Sequence, residues 1–322
     1  MEPTPTEGPA RETVPLPSIL PERWENPLWR AASARAASEK HPAYSEDVVS
    51  VDPELGLFIL CDGMGGQKHG LEAATTTAAT IRATVESLPR DIEDGDVPRL
   101  VAASLAGALR DAHDAISQRN TERAGNTTDE KEAMDTTATV MQVWPLSSGE
   151  RLAIIGHVGD CRAYLVSEAG EVTQVTEDDD LLSLPSGARL VLGDAVPDAD
   201  LPARIREVRA ELEQATNAGN LSAPAKMLYA YRMVSVGVGS ATMTPHTYVV
   251  PFPPGSRIAL VSDGVYENLG ARRMGGILTQ STAMSPERQA LELVTAAQKN
   301  GHDKTLPTSK QDDISALIIE SS

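Results

Sequence analysis

Cys61–Gly66 reads CDGMGG, directly after the apolar run LGLFIL at Leu55–Leu60. An apolar run of this length is a buried strand, and the residue that follows it is held at a fixed point. Here that residue is Asp62, with three glycines close behind. Glycine lets a ligand or another backbone approach the main chain. Alone, the stretch also reads as a Gly-rich loop closing a strand, so the decision rests on what surrounds it.

The arrangement recurs. Asp160 follows RLAIIGHVG, Asp263 follows SRIALVS, Asp312 and Asp313 precede ISALII, and Asp47 precedes VVSV. If these strands lie in two packed sheets, their ends can meet at one edge. Carboxylates brought together without a counterion repel strongly, and a divalent cation resolves the repulsion. An all-oxygen donor set without a His/Cys cluster suits Mg²⁺, Mn²⁺ or Ca²⁺ over zinc. The six histidines are scattered and read as surface or loop residues.

Working outward, TTATVMQVW, RLAIIGHV, CRAYLVS and VTQVT are short β-rich runs separated by turn signals such as SSGE and EAGE. Short links predict antiparallel pairing of consecutive strands. Leu71, Ala74, Ala78, Ile81, Val85 and Leu88 mark one face of a helix. Leu105, Leu109, Ala112 and Ile116 mark a second. Later strands are expected at TPHTYVVPF, GSRIALVSDG and DISALIIE, with helices near Arg272–Gln280 and Pro286–Lys299. Strands and helices in runs, without strict alternation, predict an α+β chain of antiparallel sheets covered by helices.

The 322 residues carry a formal net charge of -18, which excludes the basic footprint that nucleic acid requires. Two cysteines, Cys61 and Cys161, give no disulfide framework and point to a cytoplasmic compartment. No apolar run is long enough to span a bilayer. The Pro/Thr/Glu-rich start predicts a disordered tail over residues 1–22, ahead of one domain over 23–322. Within that domain, residues 178–230 read as an insertion that forms a flap, with a helix whose face carries Leu201, Ile205, Val208 and Leu212.

Five segments, in order, resemble the metal-dependent serine/threonine protein phosphatases of type 2C. They are SED with CDGMGG, DTTATV, GDCRAYL, PPGSRIALVSDGVYENL and QDDISALII, spread from about Tyr44 to Glu320. The resemblance implies a four-layer α-β-β-α sandwich, two antiparallel sheets flanked by helices. It implies two core ions, Mn²⁺ or Mg²⁺, and a third, weaker one. By the same carry-over, Asp62 serves both core ions and Gly63 gives its carbonyl to one. Asp263 and Asp312 bind the first ion, Asp47 holds the second through water with Glu46 beside it, and Asp160 shapes the third. Asp62 and Asp263 are the expected catalytic centre. The implied reaction is hydrolysis by a metal-activated water, with no covalent phosphoenzyme. Ser262 beside Asp263 reads as structural. Phosphorylated proteins are the implied substrates and a monomer the expected state. The alternatives are a catalytically weak regulatory module on the same fold, or a phosphatase acting on a small phosphorylated molecule.

The chain departs from the family's pattern at several points. Pro42 stands where the family has a phosphate-holding arginine, which leaves Lys40 and His41 as the nearest cations. Met64 stands where many eukaryotic members have a histidine. Cys161 replaces a serine, Asp135 a glycine before Thr136 and Thr137, and Asp313 an asparagine. Asp313 reads either as a further ligand or as a solvated acid.

Overall fold

The structure is a computed structural model that describes residues 19–64, 69–124, 133–180, 182, 196–197, 199–217, 237–240, 243–303, 306 and 309–322. Twelve strands form two antiparallel sheets. The first runs β1 (Leu20–Asn26), β2 (Trp29–Ala36), β12 (Ile314–Ser321), β11 (Arg257–Val261), β8 (Arg162–Val166) and β9 (Val172–Gln174). The second runs β10 (His246–Pro251), β7 (Arg151–Val158), β6 (Ala138–Pro145), β4 (Leu57–Met64) and β3 (Asp47–Asp52), with β5 (Asp135–Thr136) paired to the end of β4.

The sheets pack face to face over Phe58, Leu60, Met141, Ile155, Leu260 and Leu317. The chain has only two phenylalanines, and both, Phe58 and Phe252, join Trp29 among the aliphatic residues of this core. Trp29 and Phe58 meet edge to face at 4.6 Å. Helices α1 (His69–Glu86) and α2 (Val97–Ala124) cover the second sheet. Ile81, Val85, Leu105, Leu109 and Ile116 are fully buried there, as the helical spacing predicts. Helices α4 (Asp263–Leu278) and α5 (Pro286–His302) cover the first sheet through Val265, Leu293 and Val294. The result is the expected four layers. Helix α3 (Leu201–Asn217) lies in the expected flap, with Leu201 and Val208 buried and Ile205 half-buried. Residues 181, 183–195, 198 and 218–230 of that segment lie outside the described residues.

Three expectations need correction. First, β1 begins at Leu20 and pairs with β2 throughout, so residues 20–22 belong to the sheet and not to a tail. Second, β7 and β8 follow each other closely yet do not pair. Gly159, at a φ of 102°, turns the chain from one sheet to the other, and β8 pairs with β11 and β9 instead. Third, the helix expected near Arg272 starts at Asp263. Gly270, with a φ of 67°, interrupts its dihedrals and hides the continuous periodicity.

Candidate active site

Strands β3 and β4 pair so that Asp47 stands directly opposite Asp62. Side chains opposite each other in an antiparallel pair share a face, with their Cβ atoms about 5 Å apart. Asp263 opens α4 at the end of β11, and Asp312 lies two residues before β12, which is β11's neighbour. Asp160 sits in the crossing from β7 to β8. All five thus lie at strand ends, along one edge of the sandwich.

Their electrostatics confirm the convergence. Burial, then Asp47, Asp263, Asp312 and Asp160 in that order, push the Asp62 carboxyl well above its ordinary value. Asp47, 1% exposed, is raised by burial and by Asp313 and Asp312, against the nearby Ser315 and Ser262 hydroxyls. Asp160 is raised by burial, Asp263 and Asp178. Asp263 is pushed up to about 6, chiefly by burial, with Glu267 and Asp312 adding to the rise and Lys310 opposing it. Each is a carboxylate that resists ionising until a cation arrives.

Two glycines bring the elements this close. A Cβ on Gly63 would lie 2.2 Å from the Gly70 carbonyl oxygen, so β4 and the start of α1 meet backbone to backbone. A Cβ on Gly264 would lie 2.0 Å from the Asp313 carbonyl oxygen, so α4 and the approach to β12 do the same. These contacts set Asp62 and Asp263 beside their partners. Gly65 and Gly66 lie outside the described residues.

The residues fit a hard divalent cation. Both carboxyl oxygens of Asp47 and one of Asp263 are buried with no hydrogen-bond partner among the described residues. Oxygen donors dominate the edge, as Mg²⁺ or Mn²⁺ requires. No three metal-ligating side chains among the described residues are already gathered at ligand spacing. The Lys310 ammonium touches Asp263 and lies 3.0 Å from Glu267 and 3.1 Å from Asp312.

The expected phosphate cations fare differently. Lys40 is exposed, with its backbone N–H on the Ser38 hydroxyl. His41 is half-buried, stacked on Tyr44 at 4.7 Å, with Nδ1 2.9 Å from the Tyr44 carbonyl. Its ring nitrogens lie 3.9 Å from Glu46 and 3.8 Å from Asp313. Asp313 is not a solvated acid. It is buried and accepts from the backbone N–H of Ser38 at 2.7 Å and of Glu46 at 2.6 Å, tying the β2–β3 link to β12.

Other residues of the site lie within or beside the quoted motifs, but the sequence assigns them no role. Tyr266 donates to Asp160 at 3.1 Å, and the Arg162 guanidinium lies 3.6 Å over the Tyr266 ring. Arg162 in turn forms a buried fork with Asp178, its closest contact 2.6 Å. Glu267 lies one helical turn after Asp263, a spacing that places both on one face. Asp135 accepts from the Gly239 N–H at 2.6 Å and the Ser240 hydroxyl at 2.9 Å, and so docks the return of the flap segment on β5.

Residues 43–183 match the family model of protein phosphatase 2C. The chain has the protein phosphatase 2C fold. The Mycobacterium tuberculosis serine/threonine phosphatase PstP/Ppp superposes with a TM-score of 0.62 at 20% identity, covering 91% of this chain and 98% of that one. PppA of Pseudomonas aeruginosa, a key regulatory component of its T6SS, gives 0.62 at 17% identity, over 92% and 98%. The catalytic domain of PstP in complex with two manganese ions gives 0.59 at 20%, over 94% and 99%. No curated protein matches the sequence. The type 2C fold accounts for the sandwich and for the edge where the acids meet.

Proposed function

We propose that this chain hydrolyses phosphoserine and phosphothreonine in proteins, with Mn²⁺ or Mg²⁺ as cofactor. The observation that carries the reading is the meeting of Asp47, Asp62, Asp160, Asp263 and Asp312 at one edge, where burial and neighbouring charge raise the carboxyls of Asp47, Asp62, Asp160 and Asp263. The type 2C fold and a relative solved with two manganese ions support a two-ion centre. Asp62 would serve both ions, with Gly63 offering its carbonyl. Asp263 and Asp312 would hold the first ion, and Asp47 the second through water. Asp160, positioned by Tyr266, would shape a third and weaker site. When bound, such ions lower the pKa of a coordinated water and neutralise phosphoryl oxygens. Asp47 and Asp62 would orient that water, and the buried edge would keep competing solvent away. Lys40, exposed beside Pro42, would meet the substrate phosphate as a point charge, with His41 turned inward behind it.

The free, buried cysteines support a cytoplasmic setting, and the acidic charge speaks against nucleic acid. Among the described residues no helix is long and apolar enough to cross a membrane. We read the active unit as a monomer.

Hydrolysis of an aryl phosphate with Mn²⁺, with Mg²⁺ or with a chelator tests the reading. Turnover that needs the metal is expected, and none under any condition would overturn it. Phosphopeptides are then expected to be better substrates than small phosphoesters. A second reading, a catalytically weak binding module, is favoured by the lysine among the acids and by Pro42. Metal-dependent turnover would exclude it.

A further inference from the structure

We propose that Lys310 is a built-in cation that occupies the Asp263–Asp312 end of the acid cluster in the metal-free protein and must be displaced when a divalent ion binds there. The inference rests on the metal-dependent reading above.

Three observations carry it. The ammonium has three N–H donors and three carboxylates around it, from Asp263, Glu267 and Asp312. Its backbone is clamped as well. Asn268, 2% exposed, accepts from the Lys310 N–H at 2.9 Å and donates to the Lys310 carbonyl at 3.0 Å. Gly301 of α5 packs on the same carbonyl, where a Cβ would lie 2.8 Å away. Lysine side chains on a surface wander, because ordering one costs rotamer entropy. A lysine fixed at its backbone from two sides and aimed into an acid cluster has lost much of that freedom already.

Two of its three partners, Asp263 and Asp312, are the proposed ligands of the first ion. A cation there competes with the ammonium for the charge of these two carboxylates, because two positive charges would stand within a few ångströms of each other. Binding therefore weakens the lysine contact and favours its displacement. Glu267 is not among the proposed ligands. It gives the displaced ammonium a partner 3.0 Å from its present position, so displacement is a short swing and not a loss of all contacts. The consequence is a raised threshold. The protein stays folded and neutralised without metal, and it loads the first ion only when free divalent cation is abundant enough to outcompete its own lysine.

The test is Mn²⁺ binding by calorimetry to wild type and to Lys310→Met, with thermal unfolding of both in chelator. The variant is expected to bind Mn²⁺ about tenfold more tightly, the scale of one lost competing contact, and to unfold at a lower temperature without metal. Equal Mn²⁺ affinity in the two proteins would overturn the lysine's role and leave the metal reading standing. No Mn²⁺ binding by either protein would overturn both. Should Lys310→Met fail to fold, wild type alone decides through lysine acylation read by mass spectrometry. Without metal, Lys310 should react more slowly than the exposed Lys40, and added Mn²⁺ should speed its acylation. A Lys310 rate that Mn²⁺ leaves unchanged or slows would overturn the proposal.

Discussion

Asp62 faces Asp47 across a strand pair and feels three further acids, so its carboxylate is the most crowded charge on the edge. Asp62→Asn is expected to bring metal-dependent hydrolysis to background while raising the unfolding temperature in chelator. Relief of repulsion on the order of 1 kcal/mol or more is expected, since a tenfold change in a carboxyl's proton affinity corresponds to about 1.4 kcal/mol. Activity at saturating Mn²⁺ together with a melting curve checks both halves, and wild-type turnover would remove Asp62 from the centre. Asp160→Asn should lose less activity, because its contact is to Tyr266 at the rim of the cluster. The acids themselves are legible in the sequence, because each follows or precedes a buried strand. Lys310 and Glu267 are not. A lysine in the polar loop SKQDD looks like any solvated charge, and only the Asn268 clamp, 42 residues away in sequence, aims it inward. Lys40 and His41 stand out through proximity to Pro42 alone. Proximity along the chain does not show that His41 turns back onto Tyr44.

At the scale of elements, Gln289 shows how a helix end becomes part of the core. Its amide donates to the carbonyls of Ile277 and Leu278 at 3.0 Å each, closing the C-terminus of α4, while its oxygen accepts from Arg257. Gln289→Leu takes the amide donor from both carbonyls, leaving Ile277 with the Thr279 N–H, and should cost about 1–3 kcal/mol, read as a lower urea midpoint at unchanged slope. Helix α3 is fastened differently. Arg209 reaches Asp180 at 2.6 Å, and Asp180 belongs to the run whose Asp178 holds Arg162. Arg209→Ala should spare aryl-phosphate turnover and raise the KM for a phosphopeptide several-fold, if the flap helps to seat protein substrates. Equal loss on both substrates would give α3 a purely structural task. The helical faces of α1 and α2 are readable because their period is regular. Strands β1 and β2 escape a sequence reading for a physical reason. RAASARA is alanine-rich and reads as helix former, yet α5 packs so closely on β2 that only small side chains fit. The Asn26-Pro27 pair is the signal that a hairpin turns there.

For the molecule as a whole, the acid edge makes stability depend on pH and metal together. Asp263 holds its proton to about 6, and Asp47, Asp62 and Asp160 are also raised. A carboxyl with a raised folded-state pKa binds its proton more tightly folded than unfolded. Its contribution is therefore full below the unfolded value near 4 and is lost as pH rises through the folded value. In chelator the unfolding temperature should fall between pH 4 and pH 7, with a loss on the order of 2 kcal/mol from Asp263 alone. Asp263→Asn should flatten that fall. Saturating Mn²⁺ should reverse it, because the ionised form then binds the cation.

Strand β12 lies between β2 and β11, and every one of its residues is buried. The first sheet is thus joined at its middle by a segment that the ribosome delivers after the other eleven strands described. Until residues 314–321 emerge, the β1–β2 hairpin has no neighbour to sit against, and α5 has no finished surface beneath it. The second sheet, built from residues 47–158 and 246–251, can form without that segment. Asp312, next to β12, arrives only with it. A nascent chain would therefore hold half a sandwich and an incomplete acid edge until residue 321 had been made.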